Sequence, residues 1–150
     1  SRLEWFLEKA TEIGIDKITP IWCDHSERTR LNPNRLKKIL VAAMKQSQQA
    51  WLPELNEAVN FTNFINNSSD KQKYIAHLDE VNNQHLMDVC NNDGSSLILI
   101  GPEGDFSDKE IEEAKTAGFI PVNLGETRLR TETAALVATH ILNLGYRSNK

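Results

Sequence analysis

Cysteine is scarce in this chain: Cys23 and Cys90 are the only two, and neither belongs to a CxxC pair. Two isolated thiols leave no disulfide framework and point to reduced cysteines in a cytoplasmic protein. His and Cys never recur at zinc-ligand spacing, so no metal is expected. No apolar run approaches the length of a membrane span, and the opening residues do not read as a secretory signal. GxGxxG and GxxxxGKS/T are both absent, which removes the usual dinucleotide and P-loop readings. Basic excess is lacking too. With 17 Lys and Arg against 21 Asp and Glu, the net charge of -4 argues against tight, non-specific nucleic-acid binding by the whole surface.

One segment reverses that balance. From Arg28 to Lys45 there are six basic residues (Arg28, Arg30, Arg35, Lys37, Lys38 and Lys45) and no acidic one. The plain reading is a solvated helix face. The sharper one is a landing strip for phosphates, with Arg28, Arg30, Arg35 and Lys38 as candidate RNA contacts.

A length of 150 residues suits one domain with a proper core. Leu3, Phe6, Leu7, Ala10 and Ile13 stand at helical spacing from the outset, so the chain reads as a piece of a longer protein. That first helix is expected over Arg2 to Ile13, closed by Gly14. A buried strand is expected through Ile18 to Trp22. Asn32-Pro33-Asn34 then opens a helix with Leu36, Ile39, Leu40, Ala43 and Met44 on one face, ending before Pro53.

The polar stretch Asn60 to Asp70 reads as short helix or loop, Lys73 to Leu78 as a strand, and Gln84 to Cys90 as a short helix. Asn91 to Gly94 is a turn. Leu97 to Ile100 is a continuous apolar strand, and Ser107-x-x-Glu110 is a capping box for a helix that buries Ile111 and Ala114 and ends at Gly118. Ile120 to Leu124 is the last strand. Thr131 to Leu144 is the last helix, closed by Gly145 and apolar almost all round. Such a helix must be covered on several sides, by its own domain or by another subunit. Strands alternating with helices predict an α/β fold with a mainly parallel sheet.

Two runs bear the chemistry. Leu97-Ile98-Leu99-Ile100-Gly101-Pro102-Glu103-Gly104-Asp105-Phe106-Ser107 places a glycine-bearing turn directly after a parallel-type strand, where open α/β sheets hold their ligands. Pro102 stiffens the turn, and the glycines let a ligand approach the backbone closely. By itself this turn is also compatible with an ordinary strand-to-helix connection. In Leu124-Gly125-Glu126-Thr127-Arg128-Leu129-Arg130-Thr131-Glu132-Thr133-Ala134-Ala135-Leu136, two arginines precede a helix start, where positive charge is disfavoured. They call for anionic or base-edge partners. The bland alternative is a pair of salt bridges to Glu103 and Glu132, with Thr131 a plain N-cap. His25, His85 and His140 have no partner pattern and read as structural or exposed. Trp5, Phe6, Trp22 and Trp51 read as core or interface.

Together LILIGPEGDFS and LGETRLRTETAAL closely resemble the RsmE family, the 16S rRNA uridine-N3 methyltransferases of the SPOUT class. EWFLEKATEIGIDKITPIWCDHSERT and AAMKQSQQAWLPEL resemble the same family in order, so the likeness spans essentially the whole chain. The resemblance implies a parallel sheet with helices on both faces and a deep C-terminal trefoil knot. It also implies S-adenosylmethionine bound between knot loops, and a homodimer with its site at the interface.

Carried over by position, Ile100, Gly101, Pro102, Glu103 and Gly104 form one wall of the cofactor pocket. Leu124, Gly125, Leu129, Arg130 and Thr131 form the other, and His77 and Leu78 a third edge. Two departures stand out. Asp105 occupies the position of a second glycine in the commonest form of the first motif; Asp tolerates left-handed backbone better than most residues. The small N-terminal β-barrel of the family, implicated in RNA recognition, is absent from these residues.

Methylation at N3 of a uridine in 16S rRNA of the small ribosomal subunit requires the base to leave its stack and N3 to lose its proton. Arg130 is the candidate for stabilising the anionic uracil, and Glu103 for general base. The rival readings are a non-catalytic RNA-binding or assembly module, and an enzyme using another adenine-containing ligand.

Overall fold

A computed structural model describes residues 1–27, 30–81 and 83–148, the last two of these by their backbone alone. Ser1 and Glu4 form a complete capping box, and helix α1 (Arg2–Ile13) follows and stops at Gly14, whose φ of 115° suits glycine. The expected strand through 18–22 is broken. Residues Thr19 and Pro20 separate β1 (Lys17–Ile18) from β2 (Ile21–Trp22), because Pro20 has no N–H to extend a ladder. Asn32 caps α2 (Pro33–Ser47), with Pro33 in the first turn, and Leu36, Leu40 and Ala43 are buried as the spacing predicts.

Strands β3 (Glu54–Leu55) and β4 (Val59–Asn60) pair in parallel with β1 and β2 respectively. Helix α3 (Phe61–Asn66) is the short helix of the polar stretch. Then come β5 (Gln72–Ala76), β6 (Gln84–His85), α4 (Leu86–Val89) and β7 (Ser96–Leu99). The chain closes with α5 (Asp108–Thr116), β8 (Ile120–Asn123) and α6 (Thr131–Ser148). The Ser107/Glu110 capping box that opens α5 is complete, as read from sequence.

Four strands form one all-parallel sheet in the order β6-β8-β5-β7. Side chains alternate across it, and each face has its own helices. Ile75 and Leu99 pack with Ile65 of α3 and with Ile111 and Ala114 of α5. Tyr74 and Val122 face the other way, against Leu86 of α4 and Ala138 and Ile141 of α6. A third cluster, Leu7, Ile18, Leu36 and Leu40, joins α1 and α2 to β1. The α/β class with parallel sheets and helices on both faces is therefore the observed architecture.

Helix α6 ties the ends of the chain together. Asn143 Nδ2 donates to Gly14 O at 2.8 Å, satisfying a carbonyl that α1 leaves open at its C-terminus. Contrary to the sequence expectation, Gly145 does not stop α6, which runs on to Ser148. Gly145 instead lies against Cys90, and a Cβ there would collide with Cys90 Sγ. Close packing, not termination, explains that glycine. Among the described residues no helix is long and apolar enough to cross a membrane.

Candidate functional site

Three loops leave the C-terminal ends of β5, β7 and β8, and the parallel order brings all three to one edge of the sheet. The first-motif turn starts at Ile100, just past β7. Its shape comes from packing: Phe106 is buried, and a Cβ on Gly101 would lie 3.1 Å from the Phe106 ring. Phe106 itself stacks tilted on Phe61, with centroids 5.6 Å apart. Asp105 N donates to Pro102 O at 2.9 Å, and Asp105 adopts φ 62°. The left-handed backbone expected at this departure from the family pattern is present, at a cost of roughly 1–2 kcal/mol for an L residue.

Side chains from elsewhere hold this turn. Thr131 Oγ1 donates to Gly101 O at 3.0 Å. Thr131 is thus not an N-cap. It is the first helical residue of α6, and Ala134 N bonds Arg130 O at 2.8 Å, which puts Arg130 at the capping position. The hydroxyl links the second motif to the first. Arg2, at the start of α1, pairs with Glu103 and lies 3.9 Å from Glu132. Arg128 pairs with Asp105 at 3.6 Å, both side chains being well exposed. The salt bridges imagined for Arg128 and Arg130 with Glu103 and Glu132 therefore do not form, because Arg2 holds those carboxylates. Arg130 is exposed, and among the described residues its guanidinium makes no ion pair. Among the described residues Glu132 Oε2 is buried without a hydrogen-bond partner, leaving an acceptor beside Arg2.

The second-motif turn is open. Gly125 has φ 131°, and none of the described residues lies within 4 Å of where its Cβ would be, so its backbone stands open among them. Asn123 organises this turn and the loop after β5. Its Oδ1 accepts from Gly125 N at 3.1 Å, and its Nδ2 donates to Asn83 Oδ1 at 2.7 Å. His77 N donates to Val122 O at 3.1 Å, so His77 and Leu78 sit beside the second motif, with Leu78 largely exposed. Behind them, buried Asp79 accepts from Lys115 at 2.5 Å and from Val81 N at 2.8 Å. The Asp79 carboxylate holds the Lys115 ammonium above its usual range. Leu124 and Leu129 are half-buried between these walls.

A groove of the described residues lies beside this convergence and is not centred on it. It has a volume of about 990 Å³ and runs from β1 and β2 to β7, touching Gly101, Pro102, Glu103 and Thr131 but none of the residues 77–78 or 124–130. Strand β7 is an edge strand of the four-stranded sheet, and the groove's size reflects that edge rather than a closed ligand cavity.

The segment between β2 and α2 contributes more than the sequence revealed. His25, read as structural or exposed, places Nδ1 2.8 Å from Gly104 O and 3.0 Å from Asp105 O. Those two carbonyls raise its pKa from the ordinary value, and the carboxylates of Glu110 and Asp24 add to the effect. Cys23 is buried and its thiol is pushed up to about 12, chiefly by desolvation, so it is no nucleophile.

Of the basic stretch, Arg35 is engaged by Glu4 at 2.6 Å, an interaction that lowers the Glu4 pKa. Arg30 and Lys38 are exposed, while Arg28 lies outside the described residues. His85 caps α4, accepting from Met87 N at 3.0 Å. Trp51 is 82% exposed and so is not a core residue.

Arg2, His25 and Asn123 were missed. Arg2 had a signal, since a cation at a helix N-terminus is as unfavourable there as at Arg130. Asn123-Leu124-Gly125 is an Asx-type turn, also recognisable locally. For His25, 79 residues from Gly104, no local signal exists.

Comparison with known proteins gives one consistent picture. A family model described as an RNA methyltransferase domain matches residues 1–143. Ribosomal RNA small subunit methyltransferase E of Buchnera aphidicola subsp. Acyrthosiphon pisum is 32% identical over 146 residues, 91% of this chain and 56% of that relative. A probable rRNA-methyltransferase from Porphyromonas gingivalis superposes with a TM-score of 0.88 at 45% identity, covering 97% of this chain and 64% of the other. A putative methyltransferase from Legionella pneumophila, solved with bound cofactor SAM, gives a TM-score of 0.87 at 29% identity, covering 96% and 61%. The chain thus spans less than two thirds of the length of each.

Proposed function

This chain belongs to the RNA methyltransferase domain family, and from that premise we propose that it methylates N3 of a uridine in 16S rRNA of the small ribosomal subunit, using S-adenosylmethionine. The observation that carries the reading is the convergence of the loops after β5, β7 and β8, cross-linked by Thr131 to Gly101 and by Asn123 to Asn83. The residues fit such a cofactor at Gly125, which offers bare backbone to open space, while Gly101 and Gly104 let the facing turn pack tightly against Phe106 and His25. His77, Leu78, Ile100, Gly101, Pro102, Glu103, Gly104, Leu124, Gly125, Leu129, Arg130 and Thr131 would line its site.

When bound, S-adenosylmethionine supplies an electrophilic sulfonium methyl group, so the protein's task is orientation and charge stabilisation. Uridine N3 would have to lose its proton before it takes the methyl group from sulfur, and the charge of the resulting anion would spread onto the uracil oxygens. Arg130, exposed and without an ion-pair partner among the described residues, is the candidate donor to such an oxygen. Glu103 is the candidate proton acceptor, with Arg2 already bound to its carboxylate. Arg30, Arg35 and Lys38 on and beside α2 offer phosphate contacts.

The reading extends to the whole unit: one methyltransferase domain over residues 1–150, of SPOUT type, with a deep C-terminal trefoil knot. The insertion of β8 between β6 and β5 supports it. A homodimer is supported by α6, half-buried along most of its length with Leu144 39% exposed and Tyr146 54% exposed. Two free thiols and a ribosomal RNA substrate suit a cytoplasmic setting.

The test is a calorimetric titration of this chain with S-adenosylhomocysteine, repeated on Gly104→Val. A Cβ at Gly104 would lie 2.9 Å from His25 Cβ, so the variant must displace the turn. Binding by the wild type, weakened at least about tenfold in the variant, is expected. A folded wild type that does not bind overturns the reading.

A further inference from the structure

We propose that His25 is a positioning residue for the cofactor turn, holding the carbonyls of Gly104 and Asp105 through its Nδ1–H. The inference rests on the reading of Gly101–Asp105 as a cofactor wall and names a residue outside both motifs that sets its shape. Both partners of Nδ1 are carbonyl oxygens, at 2.8 Å and 3.0 Å, so this nitrogen must carry the proton and donate to both. Neither carbonyl belongs to a helix or strand. Without His25 they lose a partner in the part of the turn where Asp105 is held at φ 62°.

Packing gives a second, independent sign of the match. Gly104 is not among the glycines of positive φ, so its lack of a side chain is not a conformational need. It answers a steric one, because His25 Cβ occupies the space a Cβ would take. Gly104 and His25 are therefore fitted to one another.

The ring is carried on a rigid bracket. Cys23 is buried, and its N–H donates to Ser26 Oγ at 3.0 Å. Asp24 N donates to Glu110 Oε2 at 3.0 Å, and Ser107 Oγ donates to Asp24 Oδ2 at 2.6 Å. Glu110 is itself buried and also accepts from Ser107 N at 2.9 Å. The loop bearing His25 is thus bonded to the capped start of α5, the element into which the cofactor turn runs. Arg2 on Glu103 and Arg128 on Asp105 are exposed ion pairs, which water and salt weaken readily. Among the described residues, His25 alone bonds the backbone of the turn's second half from outside.

The experiment compares the wild type with His25→Ala and His25→Asn, whose amide N–H₂ stands close to the place of Nδ1. Two readouts are taken: S-adenosylhomocysteine affinity by calorimetry, and hydrogen exchange of the Asp105 amide, which donates to Pro102 O at 2.9 Å. Expected for His25→Ala is affinity lower by about fivefold, as one lost hydrogen bond predicts, with faster Asp105 exchange and an unchanged thermal midpoint. His25→Asn is expected to return affinity to within about twofold of wild type. Wild-type affinity in His25→Ala overturns the proposal, and so does equal loss in both variants, because the hydrogen bond is then not the cause. Faster exchange with unchanged affinity also overturns it, leaving His25 a purely structural tether. A wild type that binds nothing while His25→Ala exchanges faster overturns the cofactor reading and supports the tether.

Discussion

Arg130 is distinguished among the cations of this edge by what it lacks. Arg2 and Arg128 are committed to Glu103 and Asp105, whereas Arg130 has no acidic partner among the described residues and stands exposed at the cap of α6. A guanidinium left free beside a helix N-terminus is electrostatically unfavourable unless a ligand supplies the anion. Arg130→Ala is therefore expected to lower methyl transfer to small-subunit RNA by more than about tenfold, with S-adenosylhomocysteine affinity far less affected. A smaller fall in the transfer rate removes Arg130 from the reaction. Both arginines of the second motif were legible in the sequence, because their placement contradicts a local rule. The ion pairs proposed for them were not, since the competing cation, Arg2, comes from the opposite end of the chain.

At the scale of elements, local chemistry and tertiary contact divide cleanly. The start of α5 is a local matter: Ser107 and Glu110 close their own capping box, and four residues of sequence reveal it. The end of α6 is the reverse case. Gly145 looks like a terminator, yet the helix continues because Gly145 gives Cys90 its place against α6, where Cys90 Sγ also approaches Ile141 O at 3.9 Å. In an exposed helix Gly→Ala gains about 1 kcal/mol. Here the added methyl meets Cys90, and overpacking costs about 1–3 kcal/mol. Gly145→Ala is accordingly expected to destabilise the protein, measured by denaturant unfolding, while a gain in stability would show that Cys90 can move aside.

For the whole molecule, the topology β6-β8-β5-β7 is what assembles the proposed site, since it aligns three strand ends that are distant in sequence. The same fold leaves α6 incompletely covered within one copy, and Leu144 and Tyr146 remain on its surface. Under the homodimer proposal these side chains meet a second copy. Sedimentation equilibrium is expected to find dimers at micromolar concentration, with Leu144→Asp weakening association at least about tenfold. A wild type that sediments as a monomer refutes the interface.

The sequence by itself determined most of the helices, the capped starts of α2 and α5, the apolar strands of the four-stranded sheet, the α/β class and the two glycine-bearing turns. Each of these is written in spacing and in turn chemistry over a few residues. Left-handed backbone at Asp105 belongs with them, because it follows from one residue's own conformational tolerance. The tertiary structure alone decided which carboxylates Arg2 captures, that Thr131 bonds Gly101 instead of capping a helix, and that His25 braces Gly104 from 79 residues away. Those outcomes depend on which side chains the fold brings within reach of a shared partner, and only the folded chain sets distances between residues so far apart in sequence.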